Sequence, residues 1–571
     1  MRLRCIALGT AGAFLCFASS LAQGNSATER ILYNAKIFTA EPHHPFAEAI
    51  AIHGDKIVAV GSRAEVMHAV KNTAESIDLH GKCLLPGLID SHIHAIYGGL
   101  KLNSADVGDK VQSVTELVVF ASEAMRNGRG MRGDVLMISG IPLTIWSRTD
   151  ELNAQLSGGA YENLPVFLWG SDGHTGWANR ALRLRAGLTR DFIGHLSEAD
   201  RKNYGLAADL EPNGFGVDAG LAKIVAAVPQ PSRQELLAAG RSAVHYLNSL
   251  GITGWLDARA GESVLTAYRD LSQHGELTAH VAAFPEVNAT KETDGDPLTK
   301  VRALQKEFAD VPNLTIPGIK IFADGVAEYP SQTAAMSAPY KNSGKYGELL
   351  FDPARFAQVV AAADKQGLIV HIHAIGDKAV TESLNGIEAA RKANGNSGLP
   401  HTIAHLQFVA PSDIPRFKQI GVIADLQLLW ASANSEAIEL VKPYIDPAVY
   451  AWQYPARSLL NAGATISGGS DWYVSSPNVF LAIYQAETRK GPEGVLNPKE
   501  RMPREAMLYA YTRNAAIAMN QLDKIGSIAP GKEADLVVLD RDVLTIPAEE
   551  LKDTRVLWTI LGGETVFGSK P

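Results

Sequence analysis

Short β-rich runs and amphipathic helical stretches alternate through most of this chain, and that alternation leaves few folds open to it. The runs end at His94 and then cover Ile252–Asp257, Thr278–Phe284, Ile319–Asp324, Leu368–His373, Thr402–Phe408, Val422–Leu428 and Thr465–Asp471, eight in all. Between them lie helical patterns such as Ser232–Leu250, Pro353–Gln366, Lys378–Ala393 and Arg504–Met519, several opened by Pro, Ser or Asp and closed by Gly. Parallel strands need long crossovers, so strand-helix alternation predicts a parallel α/β architecture. Eight such units predict a closed (β/α)8 TIM barrel whose active site lies at the C-terminal strand ends.

Two parts of the chain exceed a minimal barrel. Residues 97–231 separate the first strand from the helix before the second, far more than the ~30 residues of one βαβ unit, and predict an inserted lid subdomain. At the two ends, Ile31–Thr39, Glu48–Ile52, Lys56–Gly61, Ala534–Asp540 and Arg555–Phe567 alternate like half-buried strands. The expected layout is a β-sandwich domain from 23–84 and 522–571, a barrel from 85–96 and 232–521, and the lid between.

The 571 residues suffice for two or three domains, and the formal charge of −8 argues against nucleic acid as a partner. Arg2 and Arg4 precede an apolar stretch from Ile6 to Leu21, and Ser20-Leu21-Ala22 offers small residues at a cleavage site. Residues 1–22 therefore read as a secretory signal peptide, giving a periplasmic or secreted chain with no stable membrane insertion after cleavage. Cys16 lacks the small residues that precede a lipid-modified cysteine, and only Cys83 would remain in the mature chain. No internal disulfide is then available, so a large core, and bound metal with it, must supply the stability.

The chemistry is read from the strand ends. Asp90-Ser-His92-Ile-His94 follows the apolar run Leu84–Ile89. Side chains two apart on a strand share a face, so His92 and His94 can offer two imidazoles to one divalent ion. Taken alone, the pair could equally be histidines satisfied by backbone carbonyls. Strand four carries Lys320 in an apolar run, either paired with a carboxylate such as Asp324 or functional. A desolvated lysine has a lowered pKa, and its neutral amine can capture carbon dioxide as a metal-bridging carbamate. Strand five repeats the His-x-His pattern, and the strand-end rule selects His373 over His371 as ligand. The same rule selects His405 over His401 on strand six. Strand eight ends in Gly468-Gly469-Ser470-Asp471, and the terminal aspartate is the candidate catalytic carboxylate.

With these residues in view, the chain resembles the metal-dependent amidohydrolase superfamily, specifically the YtcJ-like branch that includes N-substituted formamide deformylases. Further matches are Asp172-Gly-His174-Thr-Gly-Trp177-Ala-Asn179, Gly251-Ile-Thr253-Gly, Lys320-Ile-Phe-Ala-Asp324-Gly325 and Ile525-Gly-Ser-Ile-Ala-Pro530-Gly-Lys-Glu-Ala-Asp535-Leu-Val-Val. The resemblance implies metal ligands at His92, His94, Lys320, His373, His405 and Asp471. It also implies one or two Zn²⁺ ions, with carboxylated Lys320 as the bridge when there are two.

Such a site would hydrolyse an amide-type C–N bond, as in an N-acyl or N-formyl compound, through a metal-activated hydroxide. Asp471 would ligate metal and move the proton. Esters, lactones and heterocycle deamination stay open as alternatives on the same scaffold, and a non-catalytic exported binding or regulatory protein is the remote one. Substrate contacts are expected from His174 and Trp177 in the insertion, Gln427 and Trp430 after strand seven, and Trp472 and Tyr473 after Asp471. His174 is also a catalytic candidate, since its imidazole could hydrogen-bond a substrate carbonyl. Aromatic side chains there would suit a small molecule with a bulky apolar group. The sequence leaves the physiological substrate and the oligomeric state open, a homo-oligomer included.

Overall fold

Eight parallel strands, Leu88–Ile93, Ile252–Asp257, His280–Ala283, Gly318–Phe322, Ile369–Ala374, Thr402–His405, Ile423–Leu426 and Thr465–Gly468, form the centre of the protein in a computed structural model. The structure describes residues 29–70, 74–108, 111–289 and 296–571. The signal peptide expected at 1–22 lies outside the described residues. Strands one to three pair in sequence order, as do strands four to eight. Backbone hydrogen bonds cross both gaps. Lys320 donates to Pro285 O at 2.9 Å and Val287 to Lys320 O at 2.8 Å, while Asp471 donates to His92 O and His94 to Trp472 O, each at 2.7 Å. This α/β layout fits a TIM-barrel-type fold.

The strands stop short of the expected ends. Thr402–Phe408 shortens to Thr402–His405 and Thr465–Asp471 to Thr465–Gly468. The cause is local: His405 at φ 76° and Asp471 at φ 54° take left-handed backbone, which breaks the extended ladder where the polar side chains are needed. Helix Arg233–Ser249 begins at a capping box in which Ser232 and Glu235 satisfy each other's backbone donors. The expected helix Arg504–Met519 is two helices, Arg504–Ala510 and Arg513–Ala518. Thr512 at φ −133° and ψ −98° separates them, and the freed Tyr511 carbonyl accepts from Ile89 of strand one at 2.8 Å.

After strand one comes helix Ala95–Asn103, which packs directly on Arg233–Ser249. At Gly99 a Cβ would lie 1.9 Å from the Ala239 carbonyl oxygen, so glycine is what permits that approach. The inserted sheet starts only beyond this helix, at Ala105. It is ordered Tyr204–Leu206, Pro212–Val217, Thr175–Ala178, Val166–Gly170, Val135–Ile141 and Ala105–Asp106, with Met131–Arg132 beside Val135–Ile141. Period-two alternation sends Leu136 and Ile138 into one core with Trp177, and Val135 and Met137 into another with Phe167 and Leu221. Among the described residues, no helix is long and apolar enough to cross a membrane.

Strands from both termini hydrogen-bond into a single eight-stranded sheet, joined where Leu536–Leu539 pairs antiparallel with Cys83–Pro86. The expected run Arg555–Phe567 is a hairpin of Val556–Leu561 and Glu564–Gly568. An ion-pair cluster ties this sheet to strand three: His280 Nε2 lies 2.9 Å from Asp535 Oδ2 and 3.3 Å from Glu533 Oε2. Burial opposes the imidazolium, but the adjacent Asp535 and Glu533 carboxylates outweigh it and raise the His280 pKa to about 9. A folded-state pKa above the unfolded value of ~6.5 stabilises below that value, and the effect fades as pH rises through about 9. The expected contribution at neutral pH is up to about 3 kcal/mol. His280→Gln should therefore lower Tm by a few degrees at pH 7 and by much less near pH 10.5. Scanning fluorimetry that finds equal losses at both pH values would reject the ion-pair account.

Candidate metal centre

Side chains from the ends of strands one, four, five, six and eight converge on one point. His92 and His94 come from strand one and its exit, Lys320 from strand four, His373 from strand five, His405 from strand six, and Asp471 from the turn after strand eight. Asp471 Oδ1 lies 3.0 Å from His94 Nε2 and 3.6 Å from His92 Nε2. The His92 ring sits 4.7 Å from that of His405, which in turn lies 4.4 Å from that of His373. His92, His405 and Asp471 bring one donor atom each within 4.8 Å of one another. Burial above all, with neighbouring charges adding to it, holds His92, His373 and His405 well below the ordinary imidazole pKa. These rings are neutral at pH 7 and offer lone pairs.

Four buried atoms of these residues have no hydrogen-bond partner among the described residues: His92 Nε2, His94 Nδ1, His405 Nδ1 and Lys320 Nζ. Each unpaired buried polar atom costs about 1–3 kcal/mol, so an arrangement of four asks for a ligand. For His92 and His405, grouped with Asp471, a shared cation meets that need, and His94 faces the same carboxylate through Nε2. Lys320 does not pair with Asp324. That carboxylate accepts instead from the backbone of Ile375, Gly376 and Ala335 at 2.8–3.0 Å. Burial pulls the Lys320 amine down to about 7.

His371 and His401, the histidines not selected as ligands, are both engaged within the protein. His371 Nε2 is 2.8 Å from His92 Nδ1, which directs His92 Nε2 into the cluster. His401 is structural: its Nδ1 accepts from Val370 N at 3.0 Å and its Nε2 meets Asp364 at 3.0 Å. Two buried carboxylates beneath the site were not legible as such. Asp90 accepts from His92 N at 3.1 Å and Ser470 N at 3.0 Å, stapling strand one to strand eight, and burial raises it to about 7. Asp425 stands with His92 and His371 in a second group of donors within 4.8 Å. An Asp two residues before a histidine doublet is a signal for the first, while nothing local marks the second.

The cluster forms the floor of a cavity of about 970 Å³ roofed by the inserted sheet. His174 lines it. Asp172 holds the turn by accepting from His174 N at 3.1 Å and Thr175 N at 3.0 Å, and His174 Nδ1 lies 2.9 Å from Asp218 Oδ1. Burial works against charge on His174, but the Asp218 hydrogen bond holds its pKa above the ordinary value. Asp218 itself sits at φ 46° and ψ −103°, a strained backbone of the kind that clusters at functional sites. Arg259 and Glu286, paired at 2.7 Å, and Tyr473 also line the cavity.

Four expected substrate contacts lie elsewhere. Trp177 is fully buried in the insertion's own core, its indole donating to Asn213 O at 2.9 Å. Trp472 packs beneath helix Ala95–Asn103, where a Cβ at Gly98 would lie 2.4 Å from its ring. Gln427 is buried and donates to Asp425 at 2.9 Å. Trp430 stacks on the His405 ring at 5.5 Å and 9°, backing the imidazole. For the three tryptophans, packing against neighbours distant in sequence took the side chain out of the cavity, whereas Gln427 is held by Asp425 two residues before it.

Comparison with known proteins agrees with this geometry. The sequence pattern of the Amidohydrolase family matches residues 75–567. Protein LONG AFTER FAR-RED 3 of Arabidopsis thaliana is 30% identical over 564 residues, 94% of this chain and 91% of that protein. YtcJ of Bacillus subtilis (strain 168) is 25% identical over 556 residues, 94% and 99% of the two chains. The N-substituted formamide deformylase of Arthrobacter pascens is 24% identical over 568 residues, 93% and 97%. An uncharacterized metal-dependent hydrolase from Pyrococcus horikoshii shares the fold, with a TM-score of 0.72, 23% identity, and coverage of 91% of this chain and 99% of that one. The protein belongs to the amidohydrolase family, in its YtcJ-like branch.

Proposed function

We propose that the protein is an exported, zinc-dependent hydrolase of amide-type C–N bonds, acting on N-acyl or N-formyl small molecules. The observation that carries this is the set of buried atoms on His92, His94, His405 and Lys320 that lack a hydrogen bond to any described residue, on side chains gathered with Asp471 on a cavity floor. The deformylase relative supports the bond class. The reading takes the eight strands as one closed barrel over 85–96 and 232–521. Residues 23–84 and 522–571 are then a β-sandwich domain, 97–231 the lid, and 1–22 the export signal.

Nitrogen and oxygen donors of this kind suit zinc. His92, His94, His373, His405 and Asp471 would hold it, and Lys320, as a carbamate, would add an anionic bridge to a second ion. Bound there, zinc polarises a scissile carbonyl and lowers the pKa of water towards ~7. The chain's own part is positioning and proton transfer. Asp471 Oδ1 takes the proton of the attacking water and delivers it to the amine nitrogen as the C–N bond breaks. His371 fixes the orientation of His92. Asp218 occupies Nδ1 of His174 and leaves Nε2 to hydrogen-bond the substrate carbonyl.

The test is to incubate the zinc-loaded protein with a mixed library of amides, carbamates and lactones and to follow mass changes. Hydrolysis of amides, N-formyl compounds among them, is expected, and turnover confined to lactones would reject the reading. Metal analysis after loading with and without bicarbonate tests the bridge: two ions per chain are expected with it, and an unchanged count would remove Lys320 from the ligand set.

A further inference from the structure

We propose that Arg132 recognises an anionic group, a carboxylate or its equivalent, carried at the end of the substrate remote from the scissile bond. The proposal rests on the amide-hydrolase reading for what the substrate is, but not for where the anion binds. Arg132 ends the short strand Met131–Arg132 of the inserted sheet, is half-buried, and lines the main cavity among Met137, Phe167, Leu221 and Val228. It also borders a second cavity of about 210 Å³ with Asn103 and Glu235, and none of the metal-site residues line that one. Arg259, rather than Arg132, is the guanidinium whose charge is felt at Lys320 and Tyr473.

The other half-buried or partnered cations of the cavity wall are engaged. Arg259 pairs with Glu286 at 2.7 Å, and Lys101 reaches Asp106 at 3.3 Å and Tyr473 O at 3.1 Å. Lys300 is exposed at the rim, where an unpaired lysine is ordinary. The Arg132 side chain makes no hydrogen bond and no ion pair within 4.0 Å among the described residues, while its backbone pairs with Val135 in the sheet. The acid nearest in effect, Glu235, is held in the capping box, where its Oε2 accepts from Ser232 N at 2.8 Å and Ser232 Oγ at 2.7 Å, and it makes no ion pair with Arg132 within 4.0 Å.

A guanidinium is always charged and presents a planar fork of donors that matches a carboxylate bidentately. Half-buried, with its side chain hydrogen-bonded to no described residue, it is a poor structural element and a good anion receptor. The cavity that holds both Arg132 and the metal floor is also lined by Met137, Phe167, Leu221 and Val228, which suit a hydrocarbon spacer. The substrate class that follows is an amide whose acyl chain or amine substituent is apolar and ends in a negative charge.

The experiment uses inert ketones, which lack a C–N bond, so that binding is read whether or not amides turn over. Isothermal titration of the zinc-loaded wild type compares benzoyl-propionate, benzoyl-pentanoate and benzoyl-heptanoate with the uncharged phenyl ketones of equal chain length. At least one acid should bind roughly 10- to 100-fold more tightly than its uncharged twin. That ratio should fall to near one in Arg132→Met and be partly kept in Arg132→Lys. Equal binding at every length in the wild type would overturn the proposal without any variant. So would a preference that survives Arg132→Met, which would seat the carboxylate on the metal floor. A preference lost in Arg132→Met together with no amide hydrolysis would retain the anion site and reject the amide reading alone.

Discussion

Asp471→Asn should leave bound metal largely in place while turnover falls by about 10²–10⁴, the usual share of a positioned acid–base group. Asparagine keeps the size, one ligating oxygen and a tolerance for the left-handed backbone at φ 54°. Its backbone N–H can still donate to His92 O, the 2.7 Å bond that joins strand eight to strand one. What it loses is the ability to take a proton at Oδ1, the atom 3.0 Å from His94 and 3.6 Å from His92. Metal content and kcat measured on the same preparation decide the matter. Near-full turnover on the best substrate refutes the proton-transfer role. Loss of metal would make Asp471 chiefly a ligand and move the search for the proton carrier to His174.

His92→Ala or His405→Ala should remove metal and activity together. Both imidazoles are buried, neutral and directed at the same point by their surroundings, His92 by His371 and His405 by the stacked Trp430 ring. A methyl group offers a metal no donor atom. His371→Gln gives the contrasting case, because His371 acts through His92. It should weaken metal affinity by about 10- to 100-fold without abolishing it. Competition with a chromophoric chelator measures all three. A His92→Ala protein that keeps full metal occupancy would break the assignment, and His371→Gln as damaging as His92→Ala would make His371 a direct ligand.

The deep pattern of this molecule was legible in the chain. Alternation of period-two and period-3.6 segments marks the eight parallel strands to within a few residues, because each must bury both faces against its crossover helices. The His92, His94, His373, His405 and Asp471 positions were equally legible, since same-face spacing and strand-end location are local properties. Choosing His373 over His371 followed from the same rule. What the chain could not show was anything that depends on partners far apart in sequence. Trp177 and Trp472 read as site aromatics, yet the inserted core and Gly98 claim their rings. Asp425 and Asp218 carry no local signal, and only the fold brings them to His92 and His174. The break at Thr512 likewise answers to strand one, which needs the Tyr511 carbonyl. Arg132 is the plainest case: a surface-type residue in sequence, it becomes a candidate anion receptor because the inserted sheet places it on a cavity wall, its side chain hydrogen-bonded to no described residue. Local periodicity decides which elements form, whereas burial and pairing, which decide what each side chain does, exist only once distant segments have closed on one another.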